Sequence, residues 1–467
     1  IAFPRYVIKL GDYYCLGDYY CRKVSTFDSK YDLKNITLLR VTRIEFCLNL
    51  NTMKNLVIIS ILSTFMFSGI ITLRAQTGPG GVINQSDILL NSSSSTGVFT
   101  DAGNTPAANS SLIEQWNDQS GNGFHLAQSS PANKPTYVTN VINGFPAIRF
   151  DGSTDFMLRD FTPGGISSMT CIVIQSYANT SQPNGDVDVT YTLGNSASNY
   201  LTFARSAGNS SPANSYYGVS SNSIRYGPPV SSGFRIYTQE IRSSAPFHKF
   251  YYDGSSAVVS DFSSGLFVAR RITLGRFIHP VYPHFFNGDI LELVLINANY
   301  NTTQNIILQN HYAAKYRLNM GTDKFSFEAT HGNEVAGIGQ ETLSDNHTDA
   351  QGTAIVRING ASDLGTGEYL MWGHDGAGLT GTSSELPGSF GGLGSKLTRE
   401  WRADETGGDV GTVSIIFDTD SISPELGPSA SQYRLLTDAD GNFTNATVIT
   451  PSTWGTTITF NNVDLST

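Results

Sequence analysis

The feature that most constrains this chain is a rhythm: short β-branched or aromatic runs, each cut off by Gly, Ser, Asn or Thr. In the first half the runs are "MTCIVIQSY" (169–177), "DVDVTYTLG" (186–194), "YLTFAR" (200–205), "FRIYTQEI" (234–241), "HKFYYDG" (248–254), "RRITLGRF" (270–277) and "DILELVLIN" (289–297). Turn signals return at intervals of roughly 8–20 residues, the spacing of an all-β sandwich or jelly roll. Alternation in "HKFYYDG" puts Phe250 and Tyr252 on one face, and Asp253-Gly254 makes a hairpin turn.

One segment breaks the rhythm. In "NTTQNIILQNHYAAKYRL" (301–318), Leu308, Tyr312 and Tyr316 fall on one helical face behind an Asn or Thr cap. A helix following the last strand of a sandwich marks a domain boundary near residue 320. Strand-like runs then resume: "GTAIVRING" (352–360), "GEYLMWGHD" (367–375), "SKLTREWRADE" (395–405), "GTVSIIFD" (411–418), "YRLLTDADG" (433–441), "ATVITP" (446–451) and "TTITFNN" (456–462). Trp372 and Trp401 sit inside such runs and are expected to be core anchors. The Gly/Ser-rich stretch 374–395 is expected to be mobile or ligand-facing.

The beginning of the chain reads differently. From Met53, "MKNLVIISILSTFMFSGIITLRAQ" has a positive start at Lys54, an apolar run over 56–73 and a small-residue exit at Ala75, the order of a secretory signal peptide. A membrane anchor is the alternative; Ser60, Ser63, Thr64, Ser68 and Thr72 weaken it. The expected organisation is therefore a mistranslated, disordered upstream segment (1–52), a signal peptide (53–76), a jelly roll (77–320) and a second β-rich domain (321–467) that stops short at its C-terminus. Without residues 1–76 the chain keeps 19 basic and 34 acidic residues, a net charge of −15, and Cys171 as its only cysteine. That charge argues against nucleic acid and anionic membranes as partners. A core of this size needs no disulfide.

Three ordered segments carry a family resemblance. Trp116, Asp118, Ser120, Gly121, Asn122 and His125 form a "W-x-D-x-S-G-N-x-x-H" loop; Phe150, Asp151, Gly152 and Asp155 an "F-D-G-x-x-D" hairpin; Gly288, Ile290 and Glu292 a "G-x-I-x-E" strand running into a helix with Tyr312, Lys315 and Tyr316. Over about 82–320 the chain resembles the laminin-G-like, concanavalin A-like jelly rolls of bacterial secreted proteins. Its remainder, with "HGNEVAGIG" (331–339), "YLMWGHD" (369–375), "LTREWRADETGGDVGTVSIIFD" (397–418) and "YRLLTDADGNFTNAT" (433–447), resembles a β-rich module of unknown function, common in Gram-negative proteins exported by a type IX route. The resemblance implies an extracellular or outer-surface address and a tandem-sandwich architecture, and no reaction.

The residues themselves offer little catalysis. Asp289 and Glu292 stand three apart, so strict alternation points them to opposite faces, unlike a glycosidase carboxylate pair. There is no Gly-x-Ser-x-Gly elbow and no His-Glu-x-x-His. His125, His331, His347 and His374 are expected to be loop hydrogen-bonders. Calcium is the ion best matched by the oxygen ligands available. Asp118, Asn122, Asp151 and Asp155 would form one site if their loops converge, and Asp438, Asp440 and Asn442 a second; ordinary Asx-turns are the competing reading. Tyr216, Tyr217, Tyr226 and Tyr282, with Trp454, are the aromatics placed to stack on sugars. The expected role is binding or adhesion through glycans or surface proteins, without catalysis and without a membrane span once the leader is removed. A fragment of a polysaccharide-degrading enzyme and a structural spacer are the alternatives.

Overall fold

The computed structural model divides into two compact units, residues 1–73 and 74–467. It describes residues 78–465 apart from 83–87, 94–95, 162–167, 179–186, 197–198, 207–213, 220–223, 230–232, 243–247, 256–257, 261–269, 278–283, 353–354, 389–393, 419–421 and 423–431. In the first unit it describes three short antiparallel strands, Val7–Leu10, Tyr13–Leu16 and Cys21–Lys23. The signal-peptide segment lies outside the described residues.

Among the described residues the second unit is all-β apart from the helix Thr302–Tyr316 and three short helical turns, and its sheets form two sandwiches. Among the described residues, nine antiparallel strands face eight in the first sandwich. Alternation along Met169–Tyr177 divides its side chains between two cores: Cys171, Val173 and Tyr177 join the core between the sheets, while Ile172 and Ile174 face the helix. The predicted hairpin forms as read. Phe250 is buried against the inner core, and Asp253 and Gly254 turn the chain at φ 41° and 73°.

The helix is shared between the sandwiches. Its Ile307, Leu308, Tyr312 and Tyr316 lie in one buried cluster with Ile172, Ile236, Leu291 and Val294 of the first sandwich and Val335, Tyr369 and Met371 of the second. In the strand Glu368–His374, Leu370 and Trp372 turn the other way, into the second sandwich's core. The layers therefore run sheet, sheet, helix, sheet, sheet. Both sandwiches also hold the helix ends. Asn301 and Gln304 form a capping box, and the Asp345 carboxylate accepts from the Thr302 and Thr303 amides at 3.2 and 2.9 Å. Arg317 closes the C-terminus in the left-handed region, at φ 52°.

Residues 78–82 clasp the two sandwiches together. Gly80 bridges Ala336 in parallel, the Gly337 amide donates to Gly80 O at 3.3 Å, and Val82 is buried in the helix layer. His347 donates from Nε2 to Gly81 O at 3.1 Å, and burial holds its pKa below the ordinary range. A side chain on Gly81 would stand 2.8 Å from Ala350 Cβ, on a backbone at φ +69°.

Candidate binding cleft

The residues that carry the family resemblance hold the first sandwich together. Trp116 is fully buried in its core. Asp118 Oδ1 accepts from the Leu89 and Ser120 amides, both at 2.9 Å, and Oδ2 from Ser120 Oγ at 2.8 Å and the Phe124 amide at 3.0 Å. His125 Nδ1 accepts from the Asp118 amide at 3.0 Å. Asn122 donates to Ser120 Oγ at 3.2 Å. Asp151 closes its own hairpin, accepting from the amides of Ser153, Thr154 and Asp155 and from the Ser153 and Thr154 hydroxyls, at 2.6–3.0 Å. Burial works against the Asp151 anion, but these donors outweigh it and hold the carboxyl well below the usual range. Burial, and then the Asp151 charge, push Asp155 up to about 7.

Among the described residues no three acidic, His or Cys side chains form a group that could hold a metal, so Asp118, Asp151 and Asp155 do not come together as one cage. In the second sandwich Asp438 Oδ1 accepts from the amides of Asp440, Gly441 and Asn442 at 3.0, 2.6 and 3.1 Å, an Asx-type turn.

The acidic strand corrects one expectation. Along Asn287–Ile296, Ile290 and Leu293 face the inner core, while Leu291 and Val294 face the helix. Two residues lie between the inward pair, so the strand bulges there, and its register with Met169–Tyr177 shifts at that point. Asp289 and Glu292 consequently share a face. Each is held by its own cation: Asp289 by a fork from Arg149 at 2.7 and 2.8 Å, Glu292 by Lys315 Nζ at 2.6 Å and Tyr316 Oη at 2.7 Å. The "G-x-I-x-E…Y-x-x-K-Y" motif thus staples helix to sheet.

The aromatic candidates are dispersed. Tyr216 and Tyr226 are register partners in the hairpin at one edge of the nine-stranded sheet, and Tyr217 is partnered by Phe203 and Arg225. Tyr282 lies outside the described residues. Trp454 is 58% exposed on a two-residue edge strand.

Among the described residues the second sandwich is open along one side: its helix-side sheet has four strands and ends at Trp401–Thr406, whereas the facing sheet has five. A cleft of about 1060 Å³ follows that edge. Ile358, Ile415 and Phe460 are at its floor, and Trp401, Tyr433 and Phe443 line it as aromatics. Trp372 is the core anchor expected of it, 2% exposed; Trp401 is only half-buried. Trp401 is fixed edge-on between Phe417, 5.7 Å away, and His374, 6.3 Å away. His374 accepts from the Gly376 amide at Nδ1, 2.9 Å, and meets the Glu334 carboxylate at 3.1 Å through Nε2.

The rim is polar. Lys396 forms an ion pair with Glu400, lies 3.2 Å from Glu385, and stands 4.4 Å over the Phe443 ring. Burial alone would lower the Lys396 ammonium pKa; the two carboxylates outweigh it and raise it. Arg399 Nε donates to Ala377 O at 2.8 Å. The Gly/Ser-rich stretch contributes Leu386, Gly394 and Ser395 to the lining, and 389–393 lie outside the described residues. Sequence reasoning did not reach Lys396, Arg399, Tyr433 or Phe443 as site residues. The available signal was the density of charged and aromatic side chains in "SKLTREWRADE", where a core strand would be plainer.

Residues 300–467 match a family model described as a domain of unknown function, DUF8202, so the match takes in the shared helix and the second sandwich. No curated protein matches the chain. Among solved structures it is similar to the CBM40 of a Ruminococcus gnavus IT-sialidase bound to alpha2,3 sialyllactose, at 12% identity over 34% of this chain and 94% of that one, TM-score 0.27. It is also similar to a mutant GH54 α-L-arabinofuranosidase, at 16% identity over 59% of this chain and 66% of that one, TM-score 0.35. A third is a Trypanosoma rangeli sialidase with the inhibitor DANA, at 11% identity over 56% of this chain and 38% of that one, TM-score 0.33. These are β-rich carbohydrate-binding and glycosidase structures, and scores this low assign no site.

Proposed function

We propose that this protein is a secreted or cell-surface binding protein that holds carbohydrate in the cleft of its second sandwich, without catalysis. The observation that carries the reading is Trp401: a half-buried indole, fixed edge-on by Phe417 and His374, in an apolar cleft with a charged rim. Sugar rings offer apolar C–H faces to an aromatic ring and hydroxyls to polar neighbours, and a pocket of this composition meets both needs.

Two of the cleft's carboxylates are already engaged. Glu400 is held by Lys396, and Asp438 by three backbone amides, which favours binding over acid–base chemistry. Export enters this reading because residues 53–76 have the order of a signal peptide and the part after the jelly roll resembles a module of type IX-exported proteins. Calcium has no necessary part in this reading, since Asp118 and Asp151 already serve their own turns. A glycan array probed with the chain tests it: binding to at least one glycan class is expected, and its loss in Trp401→Ala. An array blank for the native chain would sink the proposal.

A further inference from the structure

The cleft is mixed in charge, whereas the protein around it is acidic. Beyond residue 76 the chain carries −15, while the cleft lining holds Lys396, Arg399, Arg402 and Arg434 beside Glu400, Asp438 and Asp464, with Glu385 3.2 Å from Lys396. At physiological salt the screening length is about 8 Å, so the distant acidic surface contributes little and the local charges decide. Glu400 is neutralised by Lys396, and the Asp438 carboxylate is turned onto three amides of its own loop. The Arg402 guanidinium stacks 4.3 Å from the Phe327 ring.

Arg399 is arranged differently. Its Nε donates to Ala377 O, which fixes the plane of the guanidinium, and among the described residues it has no carboxylate partner. Its two terminal nitrogens therefore remain for a ligand. Arg434 donates to Tyr433 O at 2.7 Å on the same rim. A planar guanidinium tethered at one nitrogen suits a planar carboxylate, which it can meet with two parallel hydrogen bonds; a compact ammonium cannot.

We infer that the cleft selects carboxylate-bearing sugars, the uronic acids of acidic polysaccharides, with Arg399 meeting the uronate and Trp401 the ring. This rests on the carbohydrate-binding reading above and names the class of sugar.

The test is calorimetric titration of the chain with three polymers: a linear polyuronate, the same polymer after its carboxyls are reduced to alcohols, and a sulfated neutral polysaccharide. The polyuronate is expected to bind about tenfold more tightly than its reduced form, the scale of one hydrogen bond to a charged group. That margin should shrink as salt rises. Arg399→Gln should remove the margin while its thermal unfolding midpoint stays at the native value, which shows separately that the variant is folded. Arg399→Lys, with charge but no fork, should keep only part of it. Equal affinity for the polyuronate and its reduced form would overturn the inference while leaving carbohydrate binding in place. So would a margin that survives Arg399→Gln, or a sulfated polymer that binds as tightly as the polyuronate. Binding to none of the three, together with a blank glycan array, would overturn the underlying reading as well.

Discussion

Trp116 and Trp401 stand in short strands of the two sandwiches, and their surroundings differ in a way that separates folding from function. Trp116 is fully buried, and the motif residues beside it, from Asp118 to His125, complete the turn that follows. Trp401 is half-buried at the edge of a four-stranded sheet whose five-stranded partner leaves a cleft. The first sandwich uses its recognisable residues to close itself. The second leaves charged and aromatic side chains on an open seam. A motif can therefore be the most legible part of a chain and still say little about its ligand, because turn chemistry and helix stapling also demand fixed residues at fixed spacing.

The comparison breaks first if the two tryptophans prove equivalent. Trp116→Ala should cost about 3–5 kcal/mol of stability, the range for deleting a large aromatic from a closed core. Chemical denaturation should show a lower midpoint with the slope unchanged. Next comes the helix staple. Glu292→Ala removes a carboxylate that is 2% exposed and leaves the Lys315 ammonium and the Tyr316 hydroxyl facing the gap. A loss of about 3 kcal/mol is expected, and because the helix belongs to both sandwiches they should unfold together. Two separated transitions would show that the shared layer couples them weakly.

How much of this was readable in advance follows from the range of each interaction. The strand runs were legible because alternation is local; "MTCIVIQSY" is the strand Met169–Tyr177 to the residue. The helix, its Asn cap and its Leu308–Tyr312–Tyr316 face were legible for the same reason. The bulge that turns Asp289 and Glu292 onto one face was not, because it is set by pairing with a strand more than a hundred residues away. The helix being shared was equally hidden, since one apolar stripe does not reveal that two sheets compete for it. "SKLTREWRADE" reads as one strand but splits, with Lys396–Leu397 paired to Gly381–Thr382 and Trp401–Thr406 paired to Glu368–His374. That split places Lys396, Arg399 and Trp401 around the cleft, and only the tertiary pairing creates it.

A titration sharpens the contrast at the closed end of the first sandwich. Asp155 has a folded pKa of about 7 against an ordinary value of 3.8, so the folded state keeps its proton where the unfolded state has lost it. The stability this contributes is complete below the unfolded value and is lost as pH rises through about 4 to 7. Asp155→Asn should remove that slope, making the variant more stable than the native chain at pH 8 by about 2 kcal/mol, with the two converging near pH 4. Thermal unfolding at pH 4, 6 and 8 checks this. Parallel pH profiles for the two proteins would show that the carboxyl ionises freely in its hairpin.

The smallest expected effect on stability is the most informative about function. Trp401→Ala removes a half-buried ring whose edge-on contacts with Phe417 and His374 are each a fraction of its value, and water already reaches the cleft. A cost of about 1 kcal/mol is expected. If the cleft is a binding site, that variant should lose its glycan affinity while its unfolding midpoint barely moves, the inverse of Trp116→Ala, whose surviving folded fraction should bind normally. A Trp401 variant that unfolds as readily as the Trp116 variant would mean that the indole closes a core. The seam would then be a packing feature, and the carbohydrate site would have to be sought elsewhere, with the Tyr216–Tyr226 hairpin at the edge of the first sandwich as the next place to mutate.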